Sequence, residues 1–171
     1  MHLDTGSCQS PTLAPADAPF ALARPEALAF SFTLPAVPRS PGIARAATRT
    51  ALHAHGLAAA TDATVQVVSE LTACACRFSA TADVYVSLRY RDDALRVTLY
   101  DGHPHHAHAR LGAICVLHRR VSLRVLDRVV RACRGEWGIG AGEETAGGTR
   151  MWAVLPWVGA CGYLLGGRSY G

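Results

Sequence analysis

Lysine is absent from this 171-residue chain: all 17 basic side chains are arginine. With abundant alanine and glycine, that is the bias of a GC-rich genome, and it speaks to origin far more than to function. No window approaches the roughly 18 apolar residues that a membrane helix requires, which argues against a membrane protein. The opening, MHLDTGSCQSPTLAPADAP, has neither the basic head nor the apolar run of a secretory signal. Without an export signal, the six cysteines (Cys8, Cys74, Cys76, Cys115, Cys133 and Cys161) read as reduced thiols, most of them small buried hydrophobes, in a cytoplasmic protein. A net charge of +4 is modest and its arginines are scattered apart from the 119–134 stretch, so charge alone does not support nucleic-acid binding.

Half of the chain is apolar, which excludes global disorder, and the length suits one domain with tails. Residues 1–26 are Pro/Ala-rich without periodicity and read as a flexible leader. The domain spans 27–156, and 157–171 is an apolar, Gly-rich tail with no assignable structure. Within the domain, LAFSFTL at 28–34 alternates as a strand does. Ser40-Pro41 then opens a helix that Gly56 closes, Ser40 supplying a capping hydroxyl. A second helix runs from Thr61 to about Phe78. Strands at Val84–Tyr90 and Leu95–Tyr100 flank a turn at Arg91-Asp92-Asp93-Ala94. Residues 103–120, with Pro104 and clustered histidines, are expected to be the least regular part of the domain. Helical spacing resumes through Val125, Val129 and Ala132 to Gly135, before strands near Glu136–Gly140 and Thr149–Leu155. This order predicts a two-layer α/β (α+β) sandwich, with helices on one face of a mostly antiparallel, mixed sheet.

That order, with VVSELTACACRF at 67–78, LRVTLYDG at 95–102 and LDRVVRACRGEWGI running on to GGTRMWAVLP at 126–156, resembles the Bergerat ATP-binding fold. Within that superfamily it is most similar to the anti-sigma-factor serine/threonine kinases of actinobacteria. The resemblance implies ATP with Mg2+ as cofactors, serine/threonine protein kinase activity, and a sigma factor or an anti-sigma antagonist as protein partner. It also allows a homodimer. Glu70 falls at the carboxylate position on the second helix and would be the catalytic base. Cys74, one turn on, stands where the family has the magnesium-binding Asn, and a thiol is a poor ligand for so hard a cation. Asp101-Gly102 matches the start of the adenine-binding motif, and Gly148-Thr149 matches the last motif, whose hydroxyl lies near the base. Leu126 falls at the final glycine of the phosphate cradle, and the alternative alignment places Ser122 there, also not glycine. The resemblance therefore implies ATP binding that is weakened or lost and a doubtful Mg2+ site, and it leaves catalysis open.

Two further constellations lie outside these motifs. His103, His105, His106 and His108, with Cys115 and His118 nearby, carry ligand chemistry for zinc or copper. Their spacing matches no structural zinc pattern, so a solvated lid is the reading adopted and no metal is assigned. Arg119, Arg120, Arg124, Arg128, Arg131 and Arg134 read as a solvated basic helix face. Three functions compete: a working kinase, a nucleotide-independent pseudokinase acting by protein binding, and a metal- or redox-responsive regulator using the His/Cys loop.

Overall fold

A computed structural model describes residues 24–104, 106–142 and 148–163. The leader up to residue 23 and the tail from 164 lie outside the described residues. Five strands form a single sheet: β1 (Ala29–Pro35), β2 (Asp83–Arg91), β3 (Ala94–Asp101), β4 (Glu136–Ala141) and β5 (Thr149–Pro156). Their spatial order is β1-β2-β3-β5-β4. All four pairings are antiparallel, so the sheet carries no mixed pairing. Among the described residues five α-helices accompany it: α1 (Ser40–Ala54), α2 (Thr61–Phe78), α3 (Ala109–Ser122), α4 (Arg124–Ala132) and α5 (Trp157–Gly162). The result is a two-layer α+β sandwich.

Strand alternation decides which sheet face is covered. Val84, Val86 and Leu88 of β2, Leu95, Val97 and Leu99 of β3, and Met151, Ala153 and Leu155 of β5 all turn inward and are almost fully buried. They meet Val67, Val68, Leu71 and Ala75 of α2, the central helix, with Leu52 of α1 and Leu126, Val129 and Val130 of α4 in the same cluster. Each Val, Leu or Met among them stabilises the fold by roughly 1.5–3 kcal/mol. The intervening residues, among them Tyr85, Arg89, Arg96, Tyr100 and Trp152, turn to the opposite face.

Local signals explain the joints. The β2–β3 turn has positive φ at both Asp92 (54°) and Asp93 (51°), the two-residue geometry whose twist suits a hairpin. Gly56 ends α1 at φ 71°. Ser40 acts differently from expectation: it is the first residue of α1, and its hydroxyl donates to the Pro35 carbonyl rather than accepting from the helix. Segment 157–162, unassigned from sequence, is a helix; Trp157 meets the Tyr90 ring edge-on with centroids 5.9 Å apart, and Ala160 is buried.

The largest departure is at 103–120. Residues 103, 104 and 106–108 are irregular, and from Ala109 the chain forms the 14-residue α3. The His108 side chain accepts from the Arg110 backbone N–H at 3.3 Å and starts the helix, and the following run is rich in good helix formers. Proline at 104 precedes the helix and so does not interrupt it.

Candidate functional site

At one end of the sheet, β3 finishes at Asp101, whose register partner on β5 is Thr149. Asp101 has the inward parity of Leu95, Val97 and Leu99, so its carboxylate enters the helix layer, where its side chain is 0% exposed. A buried carboxylate requires partners. Arg119 of α3 supplies them: Nη1 donates to Oδ2 at 2.6 Å and Nη2 to Oδ1 at 3.2 Å. The His103 backbone N–H adds a bond to Oδ1 at 3.0 Å. Arg119 is itself 1% exposed, and its guanidinium lies over the Phe78 ring, 4.9 Å from the centroid. Burial alone would pull the guanidinium down, yet the hydrogen bonds and charge of Asp101 hold it above its ordinary value. Arg119 is thus a buried anchor. Its assignment to a solvated basic face is corrected, while Arg120, Arg124, Arg128, Arg131 and Arg134 are exposed as expected.

The other sequence candidates distribute around this pair. Cys74 is buried on α2, and its sulfur lies 3.5 Å from the Ser122 hydroxyl at the end of α3. Burial raises its thiol pKa, opposed by the Ser122 hydrogen bond and the nearby Arg119 charge. Glu70, one turn earlier, accepts from the Gln66 amide at 3.0 Å; desolvation raises its pKa, opposed by that bond. No hydrogen bond joins Glu70 to Asp101 or Thr149 among the described residues. Thr149 donates to the His103 carbonyl at 3.5 Å. Gly148 adopts φ 84°, and a Cβ there would run into the Asp101 carbonyl oxygen. At Gly102 a Cβ would strike the Thr81 side chain. Leu126 is fully buried in the core cluster.

The structure therefore brings Asp101, Gly102, Gly148, Thr149 and Cys74 to one end of the fold. It sets Leu126 in the core and fills the space beside Asp101 with α3. On the helix side this leaves a cavity of about 250 Å³ bordered by His103, Cys115, Arg119, Ile139 and Thr149, below the roughly 300–1,000 Å³ of typical ligand pockets. On the opposite sheet face a cavity of about 640 Å³ runs along Tyr85, Arg89, Arg96 and Tyr100 to Asp101 and Gly102.

Sequence reasoning missed Arg119 as the Asp101 partner, which was detectable in principle, because a carboxylate at an inward strand position calls for a cation. The His/Cys constellation was named from sequence without a metal; within it His103, His106 and Cys115 each place one ligand atom within 4.8 Å of the others. On its outer side, α3 exposes Leu111 (55%), Ile114 (49%), Leu117 (58%) and Val121 (46%), and Val125 of α4 (46%) continues the row. Spacings of three and four residues put these on one face. No family model matches this chain, and no curated protein matches it.

Proposed function

We propose that this chain is a regulator of the Bergerat, anti-sigma-kinase-like class that acts by binding protein partners and does not depend on ATP. The observation that carries this reading is the Arg119–Asp101 pair. Asp101 is the residue that the resemblance assigns to adenine, and a carboxylate that receives two guanidinium bonds and a backbone N–H has little capacity left for a base. To admit a nucleotide, the protein would have to break a buried bidentate ion pair, a loss of about 3–5 kcal/mol, or roughly two to three and a half orders of magnitude in affinity. Cys74 in place of a magnesium-binding amide and Leu126 in the core point the same way.

The same helix supports the partner half of the reading. α3 holds its polar anchor inward and its apolar row outward, and an exposed apolar stripe is the mark of a protein-binding helix. The partner we propose is a sigma factor or its antagonist, docking an apolar surface on Leu111, Ile114 and Leu117. A pairwise two-hybrid panel of the source genome's sigma factors and anti-sigma antagonists tests it, with the full chain as bait. The reading expects at least one partner whose binding is lost in Leu111→Asp/Leu117→Asp while the variant keeps the wild-type melting temperature. A panel without a partner, or a partner indifferent to that variant, overturns it.

A further inference from the structure

The cluster beside the Arg119–Asp101 pair has the makings of a metal centre. His103 Nε2 lies 3.1 Å from His106 Nε2 and 3.0 Å from Cys115 Sγ. All three atoms fall within 4.8 Å of one another. Zinc bonds imidazole nitrogen at about 2.0–2.1 Å and sulfur at about 2.3 Å, so tetrahedral ligand atoms stand roughly 3.3–3.6 Å apart. The His103–His106 and His103–Cys115 spacings need to open by roughly 0.3–0.6 Å to admit the ion.

A second feature separates this group from a chance meeting of side chains. His103 Nδ1 lies 2.9 Å from the Phe78 carbonyl oxygen. A carbonyl only accepts, so Nδ1 carries the ring proton and Nε2 presents its lone pair to His106 and Cys115. Ligating histidines are held in this way by an outer hydrogen bond that fixes both tautomer and ring orientation. All three residues are half-buried, which gives an ion a path from solvent while keeping the ligands in place.

We propose that His103 Nε2, His106 Nε2 and Cys115 Sγ bind a zinc ion, with water completing the tetrahedron, and that the ion pins α3 to the end of β3. Two imidazoles and a thiolate match zinc's borderline softness. Binding releases the Cys115 thiol proton to solvent, and His106 ligates through Nε2 with its ring proton moved to Nδ1. Position gives the site its consequence. His103 lies two residues beyond Asp101, and Cys115 lies one turn before Arg119 on α3. A bond through zinc therefore spans the same two elements as the ion pair and restrains α3 further. The site stands or falls independently of which partner, if any, α3 binds.

Cobalt(II) titration of the full-length, metal-free chain, followed by displacement with zinc, tests the proposal. One equivalent of cobalt is expected to give the intense d–d bands of tetrahedral coordination and a thiolate-to-cobalt charge-transfer band, both erased by zinc. Cys115→Ser removes the charge-transfer band and weakens zinc binding by about a hundredfold or more, since even an outer-shell loss costs 10–100-fold. His106→Ala weakens zinc comparably but keeps the charge-transfer band in whatever cobalt it still binds. Cys76→Ser, a half-buried thiol outside the cluster, leaves band and affinity unchanged. Zinc raises the melting temperature of the wild type and of Cys76→Ser but not of Cys115→Ser, whose circular dichroism matches the wild type. Absence of the thiolate band in the wild type, its persistence in Cys115→Ser, or undiminished zinc affinity in His106→Ala overturns the site.

Discussion

Replacing Arg119 by Met tests how α3 is held. The substitution keeps much of the side-chain volume but leaves Asp101, 0% exposed, without its cation. Removing one member of a buried ion pair strands the other charge, at a cost of about 3–5 kcal/mol. Domains of this size have a total stability of roughly 5–15 kcal/mol, so the loss is a large share of the whole. Arg119 is also the only fully buried side chain of α3, and its loss should release that helix before the rest of the fold. Asp101→Asn/Arg119→Met removes both charges while the Asn oxygen still accepts from His103 N–H. The double variant should therefore cost clearly less than Arg119→Met alone. Urea unfolding followed by tryptophan fluorescence gives the free energies, and amide hydrogen exchange reports α3. An Arg119→Met variant within about 1 kcal/mol of wild type, or a double variant with strictly additive losses, would refute the reasoning.

Two further predictions concern stability. Burial pushes the Cys133 thiol up to about 11, against 9.0 when exposed, so the folded protein keeps this proton while the unfolded chain loses it. Stability is unaffected below pH 9.0 and falls as pH rises towards about 11, by roughly 2–3 kcal/mol over that window; Cys133→Ala should lack this part of the alkaline loss in denaturation curves taken across it. Arg134 follows α4 in the left-handed region at φ 54°, so Arg134→Gly should stabilise by up to about 1 kcal/mol, read as a rise in melting temperature; an unchanged or lower value would contradict the strain argument.

The regular elements were legible because their apolar patterns face the core. Alternation located β1, the turn at Asp92-Asp93 located the β2–β3 hairpin, Gly56 marked the end of α1, and the stripe through Val68, Leu71 and Ala75 defined α2. The α3 helix escaped because its amphipathicity is inverted. Gly112, Cys115, Arg119 and Ser122 face inward while Leu111, Ile114 and Leu117 face outward, so no apolar stripe points to a core. The α5 helix is a short, Gly-containing run that makes sense only against α2 and β5. At the candidate site, the resemblance put Asp101 and Thr149 in one motif set, while their pairing across β3 and β5 came only with the structure. The Arg119–Asp101 bond joins residues 18 apart, and the His103–Cys115 contact joins residues 12 apart. Both depend on α3 folding back over the sheet, which periodicity does not encode. Leu126, aligned to a phosphate glycine by the resemblance, lies in the inward stripe of α4 with Val129 and Val130.

Calorimetric titration of the full-length chain with a non-hydrolysable ATP analogue and with ADP, each with and without magnesium, tests the central claim most directly. With Arg119 seated on Asp101, the account predicts either no binding heat or weak binding, equal for the two nucleotides and indifferent to magnesium. Tight, magnesium-dependent binding of the ATP analogue by the unmodified protein would contradict it.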